Sequence, residues 1–532
     1  MWGRRPTAWV IAGLVLAGLA ACGGNPPQIV DYSPDRGAID VSTVAPVRIT
    51  FDHDVDQASV ESRLHLVPEV AGSIHWLNPR QLTYEHPTLT PNTSYQVVLE
   101  AGYKDRMGNA YVLRHHWSFI TEGSPHLAGS TPASADGDVD PAAYLSLEFT
   151  RAMNEASLQG AITVTPSVLF SVRLDPADPR RAIIVPAQLL EPSTTYAIAV
   201  TTAALDVDGN QLDRDQRVVF VTGAVRPLRH WVAFETGAAG GGAGALWIVN
   251  ESGFPRQLFG GGPVLAFSWS PEGDRLLIQG SGESWSALTP GEAPMLLPFQ
   301  AAWAGALVSG MGYVYLDDSG ALHRALPGGT DDLIATGVSQ AIVAPGGERV
   351  AFVKETETTS TLWGYDVGLR SRYLLAHETA PISDLAWAPA GDRVAYLRHD
   401  VGAVSLRVRN LAGPATTATV ATGDIGPAAW MPDSVGLLFA AGVQLGGGIV
   451  HKAFVVSAVA PPAALTPALG LPADPAIGVA SPVPSPDGHQ IAFVSSDQVW
   501  LMNGDGTRPT PLTRFDPDAF PYSCRLPAWT RA

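Results

Sequence analysis

The side chains whose types and spacing could do chemistry are few in this sequence, and each set fails a specific requirement. Asp206-Val207-Asp208-Gly209-Asn210 offers oxygen ligands at alternate positions, as Ca²⁺ requires. Its Gly falls early, however, and Arg217 stands where a bidentate Glu should close the loop. The related run Asp105-Arg106-Met107-Gly108-Asn109 has one acid fewer. Both read as hairpin turns whose Gly takes positive φ. Asp52, Asp54 and Asp56 alternate at a strand end and read as a solvated edge. His115 and His116 are neighbours on one strand and face opposite sides, so they do not share a metal. His377-Glu378 lacks the second His of a zinc helix, and the sequence contains neither a Gly-x-Ser-x-Gly elbow nor a Gly-x-x-x-x-Gly-Lys phosphate loop. The expectation is a chain with no catalytic residues, no metal ligands and no cofactor. Of the two cysteines, Cys524 reads as a small buried residue. The 14 tryptophans read mainly as core markers, although one of Trp76, Trp285 and Trp363 could line a carbohydrate-binding surface.

What these residues sit on is set by a recurring phrase. Ser485-Pro486-Asp487-Gly488 followed by Ile491-Ala492-Phe493 has variants at Trp269-Ser270-Pro271-Glu272-Gly273, Ala344-Pro345-Gly346-Gly347 and Trp387-Ala388-Pro389-Ala390-Gly391. Trp430-Met431-Pro432-Asp433-Ser434 is a weaker copy, and the repeat at Trp303 has lost the turn. Each phrase is a strand end, a turn that no strand can continue through, and a second apolar strand. A period of about forty residues with several strands in each predicts a β-propeller over residues 228–532, with seven blades, or six as the alternative. Trp529 has no room after it for a blade, while Trp231 to Leu258 lacks a first strand. Closure by strand exchange between the two ends of this region follows, because an open array would expose free edges. The glycine runs 237–244 and 446–448 read as hairpin loops. The Ser-Pro-Asp-Gly phrase, together with Val499-Trp500-Leu501-Met502-Asn503-Gly504-Asp505-Gly506, resembles the repeat of TolB-like propellers. Such propellers serve as protein-binding platforms, gating domains or sensors, so the resemblance implies a fold more than a function.

Residues 28–122 and 125–223 are two copies of one unit. Tyr95 and Tyr196, Gly108-Asn109 and Gly209-Asn210, Phe119 and Phe220, and Thr121 and Thr222 match at a single offset. Short alternating strands such as Val47-Arg48-Ile49-Thr50-Phe51 predict β-sandwiches. The Leu-x-Pro-x-Thr-x-Tyr and Gly-Asn signatures resemble the bacterial Ig-like domain of cell-surface proteins, which implies a spacer. Glu122-Gly123-Ser124-Pro125 and Gly223-Ala224-Val225-Arg226-Pro227 are short linkers stiffened by proline.

Arg4-Arg5 and the apolar run Ala8–Ala21 have the form of a signal peptide, residues 1–21. Leu19-Ala20-Ala21-Cys22 resembles a bacterial lipobox, which implies a lipid on Cys22 and a tether over residues 22–27. A net charge of −17 argues against a nucleic-acid partner, which needs basic surface to displace counterions. The resulting reading is an all-β, exported protein anchored by lipid to a bacterial membrane and facing the periplasm or exterior. Its two sandwiches carry a propeller that binds a protein partner, with a glycan as the lesser alternative. The competing readings are a propeller enzyme, lyase or hydrolase, or a small-ligand sensor, each with its site in the central channel.

Overall fold

The computed structural model describes residues 25–530 apart from 225, 227, 239–243, 327–328, 412–416, 446, 463 and 516–521. The signal peptide, Cys22, most of the glycine run 237–244, Gly446 and part of the second linker lie outside the described residues.

Each copy of the duplicated unit is a sandwich of a four-stranded and a three-stranded antiparallel sheet. In the first, Ile29–Ser33 pairs with Val47–Phe51, followed by Gln81–Glu85 and Ser73–Asn78. The facing sheet holds Leu64–Val67, Ser94–Leu99 and His115–Ile120. Alternation of apolar and polar residues makes one face of each strand bury. In Val47–Phe51 the residues Val47, Ile49 and Phe51 are inside and Arg48 is outside. The second copy repeats this order with Leu127–Thr131, Leu145–Phe149, Asp178–Pro186 and Phe170–Asp175 over Ile162–Thr165, Thr195–Val200 and Gln216–Val221. The Leu-x-Pro-x-Thr-x-Tyr signature has a local cause. The Tyr95 hydroxyl accepts from Thr90 N–H at 3.1 Å, and the Tyr196 hydroxyl accepts from Glu191 N–H at 3.0 Å, pinning the turn before each strand.

From Val232 onward the described residues form seven antiparallel sheets, six of four strands and one of three. The first sheet takes its innermost strand, Tyr522–Trp529, from the far end of the chain. That strand pairs with Val232–Ala238, so the ring is closed by strand exchange as the sequence implied. The tryptophans that end several inner strands tie one sheet to the one before. The indole N–H of Trp387 donates to Ile342 O, that of Trp430 to Ala386 O, and that of Trp529 to Val483 O. The last of these spans the closure.

The recurring turn is explained by backbone geometry. Gly273, Gly347, Gly391 and Gly488 all sit at φ near +70° (+72°, +71°, +68° and +74°), where a Cβ is strained. In the weaker copy Ser434 occupies that position at φ +58°. Ser434 is held by its neighbour in the ring, since its hydroxyl accepts from Ala390 N–H and its carbonyl from Arg393. The Trp303 repeat is a full four-stranded sheet whose turn is rebuilt around Gly310 and Gly312 at φ +83° and +87°. The long spacing after Trp430 belongs to the three-stranded sheet, where the described residues of 459–479 add a 3-10 turn, Pro467–Leu469, and one bridge, Ala453 to Leu471.

Candidate partner cleft and the stalk junctions

A cavity of about 420 Å³ opens between the second and third sheets of the ring. One wall is the outermost strand of the second sheet, Met295–Gln300, which presents Leu297 and Phe299. The other is the third sheet, with Tyr313 and Tyr315 on its facing side. Alternation along these strands puts Tyr313, Tyr315, His323 and Asp331 on one face. The rings of Phe299 and Tyr315 stack at 4.4 Å and 5°, and Tyr315 and His323 at 5.0 Å and 9°. The Tyr315 hydroxyl donates to Asp331 Oδ2 at 2.7 Å, and His323 Nδ1 lies 2.9 Å from the same oxygen. Burial, and then the Asp331 carboxylate, hold the Tyr315 phenol well above its usual range, so it remains a donor. Arg275 borders the same space. At the rim Met295 and Leu296 are 56% and 69% exposed. An apolar slot, an aromatic shelf and a fixed carboxylate suit recognition of a bulky apolar group beside a cation. No sequence motif announces these residues, because they come from four strands and meet only through pairing.

A second polar group spans the two innermost strands of the fifth sheet, Ile382–Trp387 and Arg393–Asp400. Ser383 Oγ is 2.5 Å from Asp384 Oδ2 and 2.6 Å from His399 Nε2. A hydroxyl has one proton, so if it donates to Asp384 it accepts from the imidazole. An activated nucleophile would need the reverse.

The residues singled out by sequence have structural partners. Asp206 Oδ1 accepts from Asp208 N–H and Asn210 N–H, and its Oδ2 from the Asn210 amide, so its carboxylate is committed to its own turn. Asp105 does the same with Met107 and Asn109. Asp54 pairs with Arg80 at 2.8 Å, and Asp56 with Lys104 at 3.4 Å. His115 stacks on Tyr111 while His116 is exposed. Glu378 is buried against Tyr396, Arg398 and Arg407. Trp285 is buried with its N–H on Ala301 O, which removes it as a surface platform, whereas the Trp76 and Trp363 N–H groups bond Glu61 and Thr361. Cys524 is buried, and burial pushes its thiol up to about 11.

Two junctions align the domains, and neither was foreseen. The Asp206 turn is the joint between the sandwiches. Asn210 donates to Glu122 Oε1 at 2.8 Å and accepts from Thr43 at 2.9 Å, Asp208 accepts from Ser42 at 2.9 Å, and Arg151 holds Glu122 Oε2 at 2.6 Å and also contacts Asp40. Burial raises the Glu122 carboxyl above its usual range. The second sandwich meets the ring through Arg256, a fully buried residue of the first sheet. Its guanidinium lies 4.2 Å from the Tyr144 ring and 5.7 Å from that of Trp231, and donates to Ala143 O at 2.8 Å. Burial lowers it to about 10.

The bacterial Ig-like domain model matches residues 24–121 and 122–222. No curated protein matches the chain. Among solved structures, TolB from Acinetobacter baumannii is 13% identical, with a TM-score of 0.35, over 70% of this chain and 83% of that one. A putative TolB from Agrobacterium tumefaciens is 16% identical, with a TM-score of 0.33, over 55% and 96%. An oligogalacturonate lyase in complex with manganese is 12% identical, with a TM-score of 0.38, over 54% and 85%. Likenesses this slight carry no argument about chemistry. The family match and the duplicated sheet order agree with each other: residues 24–121 and 122–222 are two bacterial Ig-like domains.

Proposed function

We propose that this is an exported envelope protein, held to a membrane by lipid on Cys22, whose Ig-like pair supports a non-catalytic propeller platform for a protein partner. The Ig-like pair supports a place outside the cytoplasm, and Leu19-Ala20-Ala21-Cys22 supports the anchor. The observation that carries the binding role is the cleft between the second and third sheets, apolar in its depth and rimmed by exposed Met295 and Leu296. A bulky apolar side chain of the partner fills it, and a basic residue beside that side chain meets Asp331. Met295→Asp combined with Leu296→Asp, both at the exposed rim, tests this by partner recovery after crosslinking in intact cells. Recovery should fall at least tenfold with the melting temperature unchanged, and unchanged recovery sinks the reading. The second reading, a channel enzyme, would draw on the Ser383, Asp384 and His399 group, and it requires the Ser383 proton to pass to His399 in place of its bond to Asp384. Turnover of a glycan, ester or peptide that Ser383→Ala abolishes would replace the platform with that reading.

A further inference from the structure

The two Ig-like copies carry the same hairpin loop with opposite chemistry. In the second copy, residues 205–215 hold Asp206, Asp208, Asp213 and Asp215 against one cation, Arg214. Its turn is occupied, because Asp208 and Asn210 bond the first sandwich. In the first copy, residues 104–114 hold Lys104, Arg106 and Arg114 against one carboxylate, Asp105, within a chain of net charge −17. That carboxylate is turned inward to Met107 N–H and Asn109. At the positions where the second copy has Asp208, Asp213 and Arg214, this loop shows Met107, Val112 and Leu113 at 90%, 79% and 64% exposed. Three large apolar side chains among three cations form a patch that neither the sandwich core nor the joint accounts for.

The position of the loop says what covers it. Gln28 and Asp52 are bonded through Gln28 N–H to Asp52 Oδ1 and Asp52 N–H to Gln28 O, and Val55 bridges Asp105. The loop therefore stands at the end of the stalk where the chain enters from residues 1–24, which contain the apolar run Ala8–Ala21. We propose that loop 104–114 rests on an anionic lipid bilayer, with Met107, Val112 and Leu113 at the boundary between headgroups and acyl chains and Lys104, Arg106 and Arg114 over the phosphates. This rests on the membrane location proposed above and adds that the stalk touches the surface and takes a fixed tilt on it. The body carboxylates Asp54, Asp56 and Glu100 lie 3.7, 3.4 and 3.5 Å from Arg106, Lys104 and Arg114. They temper the attraction, so the loop adds to an anchor and does not replace one.

The test uses the full chain reconstituted in phosphatidylcholine vesicles with and without phosphatidylglycerol. An environment-sensitive dye is placed at Met107→Cys and, as a control, at Leu169→Cys, which is 83% exposed on the second copy. Nitroxide lipids labelled near the headgroup should quench the dye at 107 at least threefold more than the dye at 169. Arg106→Glu with Arg114→Glu should remove that excess in vesicles containing phosphatidylglycerol. Equal quenching at the two positions, on protein that floats with the vesicles, overturns the loop contact and leaves the anchor standing. A blue-shifted dye at 107 without nitroxide quenching means that protein covers the patch, and also overturns it. A chain that does not float with either vesicle, even at low salt, overturns both the contact and the membrane location.

Discussion

Each Ig-like domain has a core of its own, with Ala142, Tyr144 and Leu189 of the second also packing onto the ring, whereas the cores of the propeller are shared between sheets. In the first sandwich Val47, Leu82 and Trp117 meet inside one domain, and in the second Leu145, Ile184 and Phe220 do. In the ring the cores lie between neighbours. Leu322 and Phe352 join the third and fourth sheets, Leu397 and Phe439 the fifth and sixth, and Phe234, Ala492 and Trp529 close the last onto the first. A sandwich is complete when its second sheet forms. A ring is complete only when its last strand arrives from hundreds of residues away, so its stability is shared around the circle.

The largest way to break this contrast is to remove the closing strand. Deleting residues 522–532 should abolish the cooperative transition of the propeller in calorimetry while the sandwich transitions persist. Trp529→Ala alone should cost about 3–5 kcal/mol, from the emptied space and the lost bond to Val483. Survival of the propeller transition after the deletion would mean that its sheets are autonomous. Next is the junction at Arg256. Arg256→Ala should cost about 2–4 kcal/mol through lost packing, and Arg256→Met should restore more than half, because much of what the side chain supplies is its apolar stem. A Met variant as unstable as the Ala variant would show that the guanidinium contacts dominate.

A smaller effect is expected at the joint between the sandwiches. Glu122→Ala removes one bond from Arg151 and one from Asn210, which keep Asp40 and Asp206 as partners, a loss of about 1–3 kcal/mol. Each sandwich keeps its own core, so the change should appear as a broadened distance distribution between spin labels on the two domains. An unchanged distribution would mean that the linker proline alone sets the angle. The smallest effect is on pH dependence. The Ser485 hydroxyl beside Asp487 and the Gly436 N–H beside Asp433 hold these carboxyls below the usual range. Lowered folded values give stability that is present above the ordinary carboxylate range and lost as pH falls through it. Both groups face solvent, so each contributes about 0.5 kcal/mol or less. Asp487→Asn should flatten the acid limb of the propeller melting curve slightly and leave the sandwich transitions alone.

The sequence disclosed what is local or periodic. The turn phrase with its positive-φ Gly, the duplicated Tyr turns and the incomplete blades at Trp231 and Trp529 were all legible, because each is a backbone requirement written in a few adjacent residues. What joins distant segments was not. Arg256 finds Tyr144 only after two domains have formed. The turn at Asp206 was identified correctly, yet nothing in it announces Glu122 as its partner. Phe299, Tyr315, His323 and Asp331 are ordinary strand residues until four strands align them. Chemistry assembled by pairing leaves no spacing to read.

The proposed partner role rests on the cleft between the second and third sheets of the ring. The most direct measurement places a photocrosslinking amino acid at Met295 in the cleft rim, at Val401 elsewhere on the ring and at Leu169 on the stalk, all exposed, in the full chain in living cells. A single partner band crosslinked from Met295 and absent from the other two is the result this account predicts. Equal capture from all three positions, or capture from Leu169 alone, would contradict it.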